Sequence, residues 1–214
     1  MTEPTHHIHP ATPQVHSRRP RQPRATITKA RILEAAARSF AYDGYDATSL
    51  NDLVAASSST KGAIYFHFDS KEAIARELLT RWSSALHHAY SAAQKSPQQS
   101  VTDISSFFRD LAASLAASSL ARAGLRLAAE TGIDGAREAF TNWVDITSLL
   151  VDAAIEAGEL PDNSVTRQLA WNLCAGFLGT VTIIRVVGDP GDFTTRMQNL
   201  ADIHLSACTS AKRN

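Results

Sequence analysis

Apolar residues recur at helical spacing along nearly the whole chain from residue 26 onward. Ile32, Ala36 and Phe40 stand at i, i+4 and i+8, with Leu33 and Ala37 beside them, and predict a first helix from Thr26 to Tyr42. Gly44 then offers a left-handed stop, and Tyr45 can pack back on the helix end. Thr48 is the expected N-cap of a short second helix to about Ala56, with Leu50, Leu53 and Val54 on its inner face. Ser57-Ser58-Ser59 makes a turn, and Thr60 opens a third helix in which Ile64 and Phe68 share the buried side. Three helices, the last two joined by a tight turn, form a helix-turn-helix arrangement.

The pattern then lengthens. Asp69-Ser70-Lys71-Glu72 reads as a cap before a helix to about Gln94, with Ile74, Leu78, Trp82, Leu86 and Ala89 on one stripe. Further stripes predict helices over 101–119, 122–130, 136–157, 165–187 and 193–207, punctuated by Pro97, Gly158, Pro161 and the Asp189-Pro190-Gly191-Asp192 turn. No stretch alternates like a strand, and no internal repeat is visible. The expectation is an all-α chain of about nine helices. Residues 1–23 form a disordered basic arm, 24–70 a helix-turn-helix domain, and 71–214 a further helical domain.

Composition changes the picture in one respect. A hydrophobic content of 44% and a charged content of 20% are those of a soluble globular protein, and the formal net charge is zero. That zero hides an asymmetry. Arg18, Arg19, Arg21, Arg24, Lys29 and Arg31 lie between residues 16 and 31 with no acidic residue among them. Residues 1–23 carry little apolar surface to offset ordering entropy, hence the expectation of disorder. His6, His7 and His9 fit a solvated tail better than a metal site, because nothing fixes a coordination geometry. Cys174 and Cys208 suggest no disulfide framework. The N-terminus lacks the apolar core of a signal peptide, and the run Leu173 to Val187 is shorter than a bilayer span and carries Arg185. A cytoplasmic protein without a membrane span is expected.

The chemistry concentrates in Thr60-Lys61-Gly62-Ala63-Ile64-Tyr65-Phe66-His67-Phe68. Its glycine and aromatics make a mediocre helix, which points to selection for what the segment touches. As a recognition helix, it would place Lys61 at base edges or a phosphate, with Gly62 allowing close backbone approach. Arg24 in the basic arm, Thr48, Thr60, Tyr65, His67 and Lys71 would serve mainly phosphates. The competing reading of Tyr65 and His67 is as packed aromatics.

These residues resemble the TetR family of bacterial transcriptional regulators. The resemblance rests on Arg31-Ile32-Leu33-Glu34-Ala35-Ala36, Phe40, Gly44-Tyr45, Thr48-Ser49-Leu50, Val54-Ala55, the string from Thr60 to Phe68, and Lys71-Glu72. Within the family, Lys61 to Phe68 is similar to the gamma-butyrolactone receptor branch of actinomycetes. A second match, Arg122-Ala123-Gly124-Leu125-Arg126-Leu127-Ala128 followed by Phe140-Thr141-Asn142-Trp143, points the same way. The resemblance implies a homodimer that binds double-stranded palindromic operator DNA as a repressor and pairs through its last two helices, about 165–187 and 193–207. It also implies a small-molecule effector and makes Trp143 a pocket wall, where core packing is the other reading. Trp82, Leu78, Phe107, Leu111, Phe140, Phe177 and Thr180 would complete the pocket from their stripes. One departure stands out. The family has Ala-Gly-Val where this chain has Ser57-Ser58-Ser59, so Ser58 would meet a left-handed conformation and Ser59 would forfeit roughly 1–2 kcal/mol of burial.

Among other function classes, an enzyme finds no phosphate loop, metal-ligand pair or nucleophile elbow in the sequence. No cofactor is expected. A pseudo-receptor or efflux-type regulator answering an antibiotic or drug shares every residue of the DNA-reading part and differs only in the pocket.

Overall fold

The computed structural model describes residues 22–94, 101–188 and 192–210, with side chains described from Ala25 to Thr209 within those ranges. Ten helices run through them: α1 (Gln22–Tyr42), α2 (Leu50–Ser57), α3 (Lys61–His67), α4 (Lys71–Ala93), α5 (Val101–Ala117), α6 (Ser119–Ala128), α7 (Ala136–Glu156), α8 (Ser164–Arg167), α9 (Leu169–Val187) and α10 (Phe193–Ser210). The fold is all-helical, as the stripes predict.

Caps account for most boundaries. Thr60, Ser70, Ser118 and Asn163 each accept the backbone N–H three residues on through their side-chain oxygens. Ser118 opens α6 three residues before the expected start. The helix expected over 165–187 is two: α8 ends at Gln168, and α9 starts afresh at Leu169. That break raises the count from about nine to ten. The expected Thr48 cap is corrected as well. Thr48 is buried and donates its hydroxyl to the Gly44 carbonyl at 2.7 Å. Ser49 caps α2 instead, in a reciprocal capping box with Asp52. Of the expected arm, residues 1–21 lie outside the described ones, and α1 already includes Gln22 and Pro23.

The core runs without interruption from Ile32 and Phe40 in α1 to Cys208 in α10. Helix α4 passes through its middle and packs against α1, α5, α6 and α7. Helix α6 lies against both α4 and α1. It comes so close to α4 that a Cβ on Gly124 would fall 2.8 Å from the Trp82 Cβ, which only glycine avoids. Polar links tie α1 to α4 and α6. Lys29 pairs with Glu77 at 3.0 Å, the Ser119 hydroxyl donates to Glu34 at 2.7 Å, and the Arg126 guanidinium donates to the Ala41 carbonyl.

Helix α9 has 19 residues with a mean hydropathy of 1.5, long and apolar enough by length and composition to cross a membrane. Its inner side, including Leu173, Cys174 and Phe177, packs in the core. Its outer side leaves Trp171, Ile183 and Val186 exposed, and α10 adds Ile203 nearby in sequence to its buried Leu205. Such an apolar outer surface is the kind of feature that marks an interaction site.

Candidate DNA-reading face and aromatic cluster

Helix α3 is short and anchored from one side. Ile64 and Phe68 are buried in the common core, where α3 packs against α1 and α2. The other side is bare: Lys61, Gly62, Tyr65 and Phe66 are all exposed, and they stand in two i, i+4 pairs on one face. Thr60 is exposed, and its hydroxyl oxygen accepts the Ala63 N–H at 3.1 Å. No atom lies within 4 Å of a Cβ placed on Gly62, so nothing inside the protein requires a glycine there. His67 is half-buried, its ring edge-on to Phe66 at 5.0 Å.

The remaining expected DNA residues sit differently. Lys71 is half-buried. Its ammonium donates to the Tyr45 carbonyl at 2.9 Å and lies 4.1 Å over the Tyr45 ring. Burial, helped by Glu72, pushes the Tyr45 phenol up to about 12, so Tyr45 stays neutral beside that cation. Thr48 presents no free hydroxyl, and the exposed Ser49 holds the N-terminus of α2 in its place. Arg24 lies in α1, with its side chain outside the described residues. Phe66 is absent from the sequence-derived set, yet it is 77% exposed. Its signal was available: Phe66 stands four residues after Gly62, on the side opposite Ile64.

The turn before α3 takes the left-handed form at Ser58, with φ +48° and ψ +38°. Ser58 therefore adopts the costly conformation, and does not avoid it. The neighbourhood braces it. The Ser57 hydroxyl is buried and donates to Leu53 O at 2.6 Å, and Arg31 donates to the Ser57 carbonyl at 2.9 Å. Ser59 is half-buried where an apolar residue would fill more of the space.

Behind this head lies a cluster of rings. Trp82 of α4 and Trp143 of α7 are fully buried, edge-to-face at 5.3 Å. Phe140 and Phe177 each meet Trp143 at 5.5 Å, and Phe108 meets Phe177 at 5.8 Å. Phe107, Leu78 and Leu111 are buried in the same core. Thr180 stands apart from the expected set: it is half-buried and gives its hydroxyl to Gly176 O at 2.8 Å. Thr147, missed from the sequence, is the buried hydroxyl here. It lies one turn after Trp143, donates to Trp143 O at 2.9 Å and accepts the Cys174 thiol at 3.5 Å. Phe108 shares the apolar stripe of α5 with Phe107 but is absent from the sequence-derived pocket set.

Both indole N–H groups, of Trp82 and of Trp143, are buried without a hydrogen-bond acceptor. A buried donor left so costs about 1–3 kcal/mol, and the two rings that carry these donors are in contact. An acceptor-bearing molecule placed there would recover that cost. Burial also pushes the Cys174 thiol, at the edge of the cluster, up to about 12, which removes it from thiolate chemistry.

The chain is similar to known proteins in sequence and in fold. Residues 32–78 match the model of the bacterial regulatory proteins of the tetR family. The chain is 35% identical over 140 residues to the A-factor receptor protein of Streptomyces griseus, an alignment that covers 65% of this chain and 49% of that receptor. The match thus spans about half the length of that relative. A solved gamma-butyrolactone receptor, an ArpA-like protein, superposes with a TM-score of 0.69 at 26% identity, over 86% of this chain and 99% of the other. A structure solved as the molecular basis for control of antibiotic production by bacterial hormones superposes with a TM-score of 0.66 at 27% identity, over 85% and 97%. The motif from Thr60 to Phe68, the ten-helix fold and these likenesses agree: residues 32–78 are a DNA-binding domain of the tetR family of bacterial regulatory proteins, set in a fold similar to that of solved gamma-butyrolactone receptors.

Proposed function

We propose that this protein is a repressor that holds operator DNA as a homodimer and releases it when a small butyrolactone- or furan-like signal binds between Trp82 and Trp143. Residues 24–70 act as the DNA-binding domain and 71–214 as the ligand-binding and dimerisation domain. Lys61 reaches base edges or a phosphate, and Gly62 lets the backbone approach the groove. Thr60, Tyr65, His67 and Arg24 take phosphates, while Lys71 positions Tyr45 and leaves its remaining protons for DNA. Ser49 replaces Thr48 as a phosphate donor at the α2 N-terminus. Phe66 suits a thymine methyl group. The exposed apolar side of α9, with α10, pairs two copies.

The observation that carries the effector reading is the pair of unpartnered indole N–H groups. A lactone or furan ring brings oxygen acceptors on an apolar body, and both donors could be satisfied by it. A ligand of this kind parts rings that now touch. It can shift the heads only by its differential affinity for the two arrangements. A receptor for such a signal would serve genes of antibiotic or other secondary metabolism, in keeping with the relatives' names.

The test is selection of duplexes bound by the full-length protein from a random pool, followed by challenge of the complex with butyrolactones, furans and antibiotics. A palindromic site released by a butyrolactone or furan supports the proposal. Release only by antibiotics favours the pseudo-receptor or efflux-type alternative, and absence of any selected site refutes the repressor reading.

A further inference from the structure

A second cleft, of about 460 Å3, opens where α1 meets α5, α6, α9 and α10. Its size lies within the roughly 300–1,000 Å3 typical of small-molecule sites. Its floor is apolar, made chiefly by Leu115, Val181, Ile184 and Phe193. Four arginines border it: Arg38 from α1, Arg122 and Arg126 from α6, and Arg185 from α9. No carboxylate lines it.

Two of the four are committed. Arg126 pairs with Glu130 at 3.2 Å and donates to Ala41 O, and Arg122 donates to the Leu115 and Ala116 carbonyls. Arg38 and Arg185 have no carboxylate partner among the described residues. Glu34 of α1 accepts the hydroxyl of Ser119, a lining residue of the cleft, at 2.7 Å. Like charges gathered on an apolar cavity raise one another's free energy, and a guanidinium is the side chain best shaped to hold a carboxylate.

We infer that this cleft is a ligand site for an amphipathic organic monoanion, with an apolar tail on the Leu115–Ile184–Phe193 floor and a carboxylate between Arg38 and Arg185. It is separate from the Trp82–Trp143 site but adjoins it, because Phe193 meets Phe177 at 6.0 Å and Phe177 meets Trp143. An occupant would touch α1 of the DNA-reading head and α6, α9 and α10 behind it at once. Its affinity would therefore depend on where the head sits.

Isothermal titration of the full-length protein with decanoate, below its micellar concentration, tests this. One decanoate is expected to bind per chain, with decanol and acetate each at least about tenfold weaker, since one lacks the charge and the other the tail. Arg38→Ala and Arg185→Ala should each weaken decanoate about tenfold, while Arg185→Lys, which keeps the charge, should weaken it less. Both arginines project from exposed positions, and circular dichroism checks that the variants fold. The inference is overturned if decanoate does not bind, if decanol binds as well, or if both alanine variants bind normally.

Discussion

At the scale of single residues, the head carries two backbone features with opposite meanings. Ser58 holds a left-handed conformation that costs a residue with a Cβ roughly 1–2 kcal/mol. Ser58→Gly is therefore expected to raise the stability of the folded chain by about 1 kcal/mol, less what glycine adds to unfolded-chain entropy. Thermal denaturation measures it, and a lower melting temperature would show that the strain is already relieved. Gly62 is the converse: nothing in the protein occupies the space of its missing side chain. Gly62→Ala should stabilise α3 by up to about 1 kcal/mol. In the repressor reading it should nonetheless weaken operator binding, because the methyl group stands where DNA would approach. A stabilised variant with unchanged gel-shift affinity would remove Gly62 from the interface.

At the scale of elements, α1 is held to α4 by an ion pair that reports on pH. Burial alone would raise the Glu77 carboxyl, but the hydrogen bond and charge of Lys29, with those of Arg81, outweigh it and hold it below its ordinary value of 4.5. Its folded-state value is depressed, so the pair's contribution is complete above about 4.5 and is lost as pH falls through the folded value. The partly exposed geometry limits that contribution to roughly 1 kcal/mol or less. Urea unfolding of Glu77→Gln should show a deficit at neutral pH that vanishes toward pH 3. A deficit independent of pH would mean that packing, not charge, is lost.

Elements also show what a sequence can carry. Helices with one clean stripe and a serine or threonine cap, such as α3 and α4, were legible because cap and period agree. The α8–α9 break was not, since Val165, Leu169 and Leu173 keep an apolar rhythm straight across Gln168, and the break is made there by the Gln168 N–H turning back to the Val165 carbonyl at 3.1 Å. Thr48 was misplaced because Thr48 and Ser49 are both capable caps; only packing of Thr48 against Gly44 decides between them. Trp82 and Trp143 were readable as inward-facing residues. That their N–H groups are buried without acceptors among the described residues depends on how α4 and α7 pack in three dimensions, which no local pattern encodes.

At the scale of the whole molecule, one core joins the DNA-reading head to the ring cluster. Helix α4 starts beside α3 at Lys71 and carries Trp82 three turns on, and Gly124 of α6 is pressed against it at that level. A ligand that parts Trp82 from Trp143 thus acts on the helix that leads directly from α3. The central claim is that the ring cluster is the input and α3 the output, so the most direct measurement compares Trp143→Ala with the parent chain on the selected operator. The variant is expected to bind the operator with near-parental affinity and to remain bound at signal concentrations that release the parent; normal release of the variant would contradict the assignment.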